Sequence, residues 1–177
     1  LIDGPFWAET GGNHDYLWEK AVPRTFPSGM RAFRDYLHEK GLLLGLYCRT
    51  EGRNMLTSGE PDTYRYIKRI IDTHGIDLYR HDTSEDQWGN WVHSIKQDGF
   101  DECIIWKHHD AFYEACDRIH KEYPGGTFQQ AAAGGARSDL ATVARYHESF
   151  QSDMTDDRFI YQAMAGFSVY LPPEVMQ

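Results

Sequence analysis

Short apolar runs of strand length alternate along the chain with segments whose apolar residues recur at helical spacing, the pattern of repeated β-α units around a parallel sheet. Leu1 to Trp7 reads as the tail of a strand. Pro27-Ser28-Gly29 leads into a helix in which Met30, Phe33, Tyr36 and Leu37 share a face, and Gly41 stops it. Leu42-Leu43-Leu44-Gly45-Leu46-Tyr47 is a continuous apolar run, as expected of a strand covered on both faces. A polar loop from Cys48 to about Glu60 precedes a helix from about Pro61 to His74, with Tyr66, Ile67, Ile70 and Ile71 inward and Gly75 as its stop. Ile76-Asp77-Leu78-Tyr79 then forms a strand that ends at Arg80-His81-Asp82.

Residues 83 to 103 are a long polar excursion with Trp88 and Trp91, and loops of that length inside a compact domain usually carry function. A helical pattern over 104 to 122 is broken by Pro124-Gly125-Gly126. Thr127 to Gln130 is a short strand, Ala131 to Ala136 a small-residue turn, and about Ser138 to Tyr146 a helix. Ser149-Phe150-Gln151 leads to Ser152-Asp153, then come a helix to about Gly166 and a strand from Phe167 to Leu171. About six β-α units result. A (β/α)8 barrel needs eight units and about 250 residues, so the expectation is one α/β domain over 1–177, an incomplete TIM barrel from a longer chain. An open doubly wound sheet is the alternative. Asp3, Tyr47, Asp82, Gln130 and Asp153 all fall at carboxyl ends of strands, where barrels place their chemistry, and this favours the barrel.

Charge narrows the partners. A formal net charge of -9 argues against nucleic acid, whose phosphates call for clustered Lys and Arg. No window approaches the roughly 18 to 20 apolar residues of a bilayer crossing, so no membrane partner is expected. Leu1 in place of Met suggests that the natural chain begins upstream, which leaves localisation open between cytoplasmic and secreted. Cys48, Cys103 and Cys116 are too few and too scattered for a disulfide framework. Gly134-Gly135 lacks the surroundings of a phosphate cradle, and a close backbone approach to a sugar suits it better. His108-His109-Asp110, with His74, His81 and His93, raises a metal reading, but adjacent helical histidines point different ways; no metal and no cofactor are expected. An open barrel edge would favour association, so a homo-oligomer is a further expectation.

Asp82 and Asp153 stand at the ends of two non-adjacent strands, and glycoside hydrolysis needs two carboxylates facing each other. The acid of such a pair needs a raised pKa, which burial and a neighbouring negative charge such as Asp156 or Asp157 would provide. A single Asp in either place would more often cap a helix or carry surface charge. Beside the enzyme reading stand a carbohydrate-binding relative without activity, which would not need both carboxylates, and a metal-dependent hydrolase.

The order of segments resembles the melibiase-type α-galactosidases, retaining glycosidases with a TIM barrel, over essentially the whole chain. Leu1-Ile2-Asp3-Gly4-Pro5-Phe6-Trp7 is similar to that family's first sugar-binding strand, and Phe26-Pro27-Ser28-Gly29 to its Phe-Pro-x-Gly. His38 to Tyr47 is similar to its helix end and Gly-Leu-Trp strand. Tyr79-Arg80-His81-Asp82 falls at its Lys-x-Asp, and Gln130 to Asp139 at its Gly-Gly-x-Arg-x-Asp turn. Ser152-Asp153-Met154-Thr155-Asp156 is similar to its Ser-Asp-Asn-Thr-Asp. The resemblance implies a glycosidase acting on an oligosaccharide or glycoside that ends in an α-linked, galactose-like sugar. It implies Asp82 as nucleophile, Asp153 as acid/base, and Asp3, Trp7, Tyr47, Glu51, Arg80, Gln130, Gly134, Arg137 and Asp157 as substrate-binding residues. The chain departs from the family at Gly4, Arg80, Ala131 and Phe150. Gly4 removes one of two paired aspartates, and Arg80 replaces a compact ammonium with a planar fork. These changes point to a divergent member acting on a sugar of related shape.

Overall fold

The computed structural model describes residues 1–10, 16–48, 63–82, 94–97, 100–135 and 138–176. Its elements, in chain order, begin with the short helix α1 (Gly4–Trp7), strands β1 (Ala8–Thr10) and β2 (Tyr16–Ala21), helix α2 (Gly29–Glu39) and strand β3 (Gly45–Cys48). Helix α3 (Thr63–His74), strands β4 (Leu78–His81), β5 (Ser94–Gln97) and β6 (Phe100–Cys103), and helix α4 (Ile104–Glu122) follow. The last part holds β7 (Thr127–Gln130), α5 (Ala132–Gly135), α6 (Leu140–Val143), β8 (Glu148–Ser149), α7 (Asp157–Phe167) and a 3-10 turn, Pro173–Val175.

The parallel sheet runs β3-β4-β7-β8, and parallel bridges add Ile2 beside Leu46 at one edge and Met176 beside Ser149 at the other. Six strand positions therefore follow in chain order, each beside its predecessor. A doubly wound sheet reverses its order at a switch point; this one does not, and it is the α/β wall of a partial (β/α) barrel. Two antiparallel hairpins, β1 with β2 and β5 with β6, lie outside this sheet.

Register and alternation sort the side chains. Tyr47, Arg80, Gln129 and Glu148 are successive partners across β3, β4, β7 and β8 and form one row. The rows on either side, Leu46-Tyr79-Phe128 and Cys48-His81-Gln130-Ser149, point to the opposite face because strand residues alternate. On that face the helices cover the sheet. Leu46, Cys48, Tyr79 and Phe128 pack into one buried cluster with Ile67, Ile70, Phe112, Cys116 and Ile119 from α3 and α4. Full burial of each such Ile contributes about 2 kcal/mol.

Helix α2 ends where Gly41 adopts φ +72°, and the Leu42 amide returns to the Leu37 carbonyl at 2.9 Å. The Asp77 carboxylate then accepts from the Leu44 amide (2.7 Å) and the His38 ring (2.8 Å), which ties the start of β3 to α2.

Several expectations change. Leu42 and Leu43 are 55% and 68% exposed, because β3 starts only at Gly45; the apolar run covers a connection as well as a strand. The segment Phe167 to Leu171 is not a strand. Helix α7 reaches Phe167, and the amides of 168–171 all donate to carbonyls three or four residues back, so none is left for a sheet. The sixth strand position lies at Met176 instead. The helix expected over 138–146 is a single turn, capped by Asp139, whose carboxylate accepts from the Ala141 and Thr142 amides.

Candidate active site

The two aspartates sit just beyond the carboxyl ends of β4 and β8. Beyond the strands the ladder continues, with the Ala131 amide on the His81 carbonyl (2.9 Å) and the Phe150 amide on the Gln130 carbonyl (2.8 Å). This pairing directs the chain after each strand onward over one end of the sheet. Asp82 follows β4 directly, and Arg80, two residues earlier on the same face, brings its guanidinium to 3.8 Å from the Asp82 carboxylate. Both side chains are largely enclosed, at 14% and 17% exposure.

Asp153 is carried by the segment after β8, and two glycines make room for it. Gly134 has φ +80°, and a Cβ there would lie 2.6 Å from the Asp153 amide nitrogen and 3.0 Å from the Ser152 Cα. Gly135, at φ +94°, would place a Cβ 3.0 Å from the Gln151 carbonyl oxygen. The backbone that approaches Gly134 closely is thus the Ser152-Asp153 segment, where the sequence suggested a sugar.

The Asp153 carboxyl is held above the usual carboxylate range. Desolvation is the largest cause; the negative charges of Asp82 and Asp3 add to it, and Arg80 opposes them. Asp3, Arg80, Asp82 and Asp153 thus come from three different strands yet lie close enough to share one field. Asp156 and Asp157, suggested from sequence as the neighbours that raise Asp153, do not contribute. Asp156 caps α7 and pairs with Arg158 at 2.7 Å, and Asp157 is exposed in that helix's first turn.

Since folding raises the Asp153 pKa, the ionised form costs stability. The sign follows from linkage: the folded chain binds this proton more tightly, so the cost is absent below the unfolded pKa and grows as pH rises towards the folded one. Asp153→Asn should therefore gain thermal stability relative to the unsubstituted chain between about pH 3 and pH 7. Paired thermal melts at the two pH values check this, and a difference that does not change with pH would contradict it.

Other expected site residues divide clearly. Tyr47 lies in the same row as Arg80, half-buried. Trp7 is a correction: it is wholly buried, its indole N–H donates to the Tyr47 carbonyl (2.9 Å), and its ring meets His74 edge to face at 5.1 Å. An indole so enclosed has no face left for a sugar. Gln130 is also fully buried, on the helix-facing side, where its amide nitrogen bonds the Ser138 and Ser149 hydroxyls. Its neighbour Gln129 shares the Arg80 face instead. Glu51, Arg137, Trp88, Trp91 and His93, with the side chains of His108 and His109, lie outside the described residues. Among the described residues, no group of three His, Cys, Asp or Glu is placed to hold a metal ion. His81 is buried, with Nδ1 2.7 Å from the Tyr146 hydroxyl and its ring 4.6 Å from that of Phe112.

Sequence reasoning missed Gln129 and Phe150 as neighbours of Arg80, and Glu148 as the partner of Gln129. The Arg80 guanidinium donates to the Gln129 side-chain oxygen (3.0 Å) and lies over the Phe150 ring at 4.4 Å. The period-two alternation from buried Phe128 would have placed Gln129 on this face.

Comparison with known proteins bears on this arrangement. The family model described as alpha galactosidase A matches residues 1–111. Alpha-galactosidase Mel36A of Lactobacillus acidophilus is 21% identical over 99% of this chain and 28% of its own length. An Escherichia coli alpha-galactosidase is 34% identical over 37% of this chain and 9% of its own. The GH36 alpha-galactosidase AgaA from Geobacillus stearothermophilus superposes with a TM-score of 0.75 at 16% identity, over 98% of this chain and 29% of that one. This chain therefore spans little more than a quarter of the longest of these matches.

Proposed function

The chain belongs to the alpha galactosidase A family, and from that premise we propose that it carries the nucleophile and the acid/base of a retaining glycoside hydrolase for α-linked, galactose-like sugars. One observation supports this above the others: two carboxylates, Asp82 and Asp153, interact at the ends of separate parallel strands, with the Asp153 proton held more tightly than usual.

In this reading the pair divides the work by environment. The Asp82 carboxylate, beside the Arg80 cation at 3.8 Å, attacks the anomeric carbon and forms a glycosyl ester. Asp153 keeps its proton to higher pH and delivers it to the departing glycosidic oxygen. The resulting Asp153 carboxylate then takes a proton from water as that water attacks the ester, and Asp82 is released. Two inversions at one carbon restore the starting configuration. Asp3 supplies an acceptor for sugar hydroxyls, and the Arg80 guanidinium offers planar donors on the same side. Gly4, where a second aspartate would add an acceptor, favours a sugar with fewer hydroxyls to bind than galactose requires. Alpha-galactosidase AgaA has been seen, as a variant, with raffinose, so a terminal α-galactoside is the first substrate to try.

The test is a panel of aryl α-glycosides of galactose, N-acetylgalactosamine, arabinopyranose and glucose, followed by proton NMR of the first sugar released. The α-anomer should appear first and mutarotate later. First appearance of the β-anomer would rule out double displacement.

A further inference from the structure

The row Tyr47-Arg80-Gln129-Glu148 contains a chain of polar contacts that the catalytic assignment does not use. The Glu148 carboxylate accepts from the Gln129 amide nitrogen at 3.0 Å, and the Gln129 oxygen accepts from Arg80 at 3.0 Å. Gln129 is only 4% exposed. A carboxylate can only accept, so Glu148 selects the amide nitrogen and leaves the amide oxygen facing Arg80. Reversed, the same amide would present a donor to a guanidinium that has only donors. Phe150 then closes one face of the guanidinium at 4.4 Å.

We propose that Glu148 and Gln129 are positioning residues that orient Arg80 towards the paired aspartates. Their catalytic meaning rests on the roles proposed above for Asp82 and Asp153; the contacts themselves do not. Besides desolvation, the charges among the described residues that act on Asp153 are Asp82 and Asp3, which favour its protonated form, and Arg80, which opposes them. Freeing Arg80 therefore weakens the influence that, among the described residues, keeps the Asp153 proton from being held still more tightly.

The test is NMR of the protein as wild type, Gln129→Leu and Glu148→Leu, following the Arg80 Nε–H signal and the pH titration of the Asp153 carboxyl carbon. In both variants the Arg80 signal should broaden or shift, and the Asp153 midpoint should rise by about one pH unit. Glu148→Leu removes the acceptor at a half-buried position and leaves the buried Gln129 in place, so it reports even if Gln129→Leu unfolds. The double exchange Gln129→Glu with Glu148→Gln returns an acceptor to Arg80 and a donor to its neighbour, and should restore the wild-type Arg80 signal. An Asp153 midpoint that stays in place in every folded single variant overturns the relay. Turnover measured on the same samples separates the two ideas. Wild type that never turns over, with shifted midpoints in the variants, keeps the relay and sinks the glycosidase; active wild type with unshifted midpoints does the reverse.

Discussion

Asp82→Ala should lower kcat/KM for an aryl α-galactoside by on the order of 10^5-fold, as removal of a nucleophile does elsewhere, while leaving the thermal midpoint nearly unchanged. The fold should tolerate the change because Arg80 keeps the Gln129 oxygen at 3.0 Å and the Phe150 ring at 4.4 Å. Added azide distinguishes the two aspartates. In the space left by the Asp82 carboxylate, azide attacks the anomeric carbon from the nucleophile's side and yields a glycosyl azide of inverted configuration. In Asp153→Ala the ester still forms on Asp82, and azide displaces it to give retained configuration. Kinetics with a good leaving group, together with NMR of the azide product, read both outcomes. Opposite stereochemistry in the two variants would exchange the assignments, and unchanged rates in both would remove these residues from the mechanism.

The second large effect concerns a residue with no side chain. Gly134→Ala should cut kcat/KM by roughly 100-fold and destabilise the chain by about 1–3 kcal/mol. Gly134 adopts φ +80°, which an L side chain rarely takes, and the new methyl would meet backbone atoms, the Asp153 nitrogen at 2.6 Å and the Ser152 Cα at 3.0 Å. Backbone cannot rotate out of the way as a flexible side chain does. The Asp153 segment must move, and a shift of about 1 Å misplaces the proton donor. Gly125→Ala is the control, since nothing lies within 4 Å of a Cβ there. Activity assays and thermal melts of both variants decide the matter: full activity in Gly134→Ala would mean that the Asp153 segment is not fitted to this turn.

The glycine pair shows how far residue pattern reaches. Gly134-Gly135 at the end of β7 is conspicuous in the sequence, and a close backbone approach follows from it. What approaches does not follow, because the partner lies 18 residues further on, with α6 and β8 between. Trp7 shows the same gap. An aromatic at the end of an apparent sugar-binding strand suggests stacking, yet α1 turns the chain at Gly4–Trp7 and the indole goes into the core. The strand expected at Phe167 to Leu171 was misplaced because helix and strand both accept a short apolar run, and only the backbone bonds that α7 forms decide between them.

Unlike α1 and the two antiparallel hairpins, the helices α2, α3 and α4, the strands β3, β4 and β7, the stops at Gly41 and Gly75, and the position of Asp82 and Asp153 beyond strand ends were written in local pattern. Those features depend on neighbours a few residues away, and a linear reading contains them. The register that aligns Arg80, Gln129 and Glu148 depends on pairings across 19 to 49 residues, and the field that raises Asp153 depends on charges at Asp82 and Asp3, far more distant in the chain. Such pairings are chosen by the packing of the whole sheet against its helices, so tertiary structure alone decided which polar residues meet and which are buried out of reach.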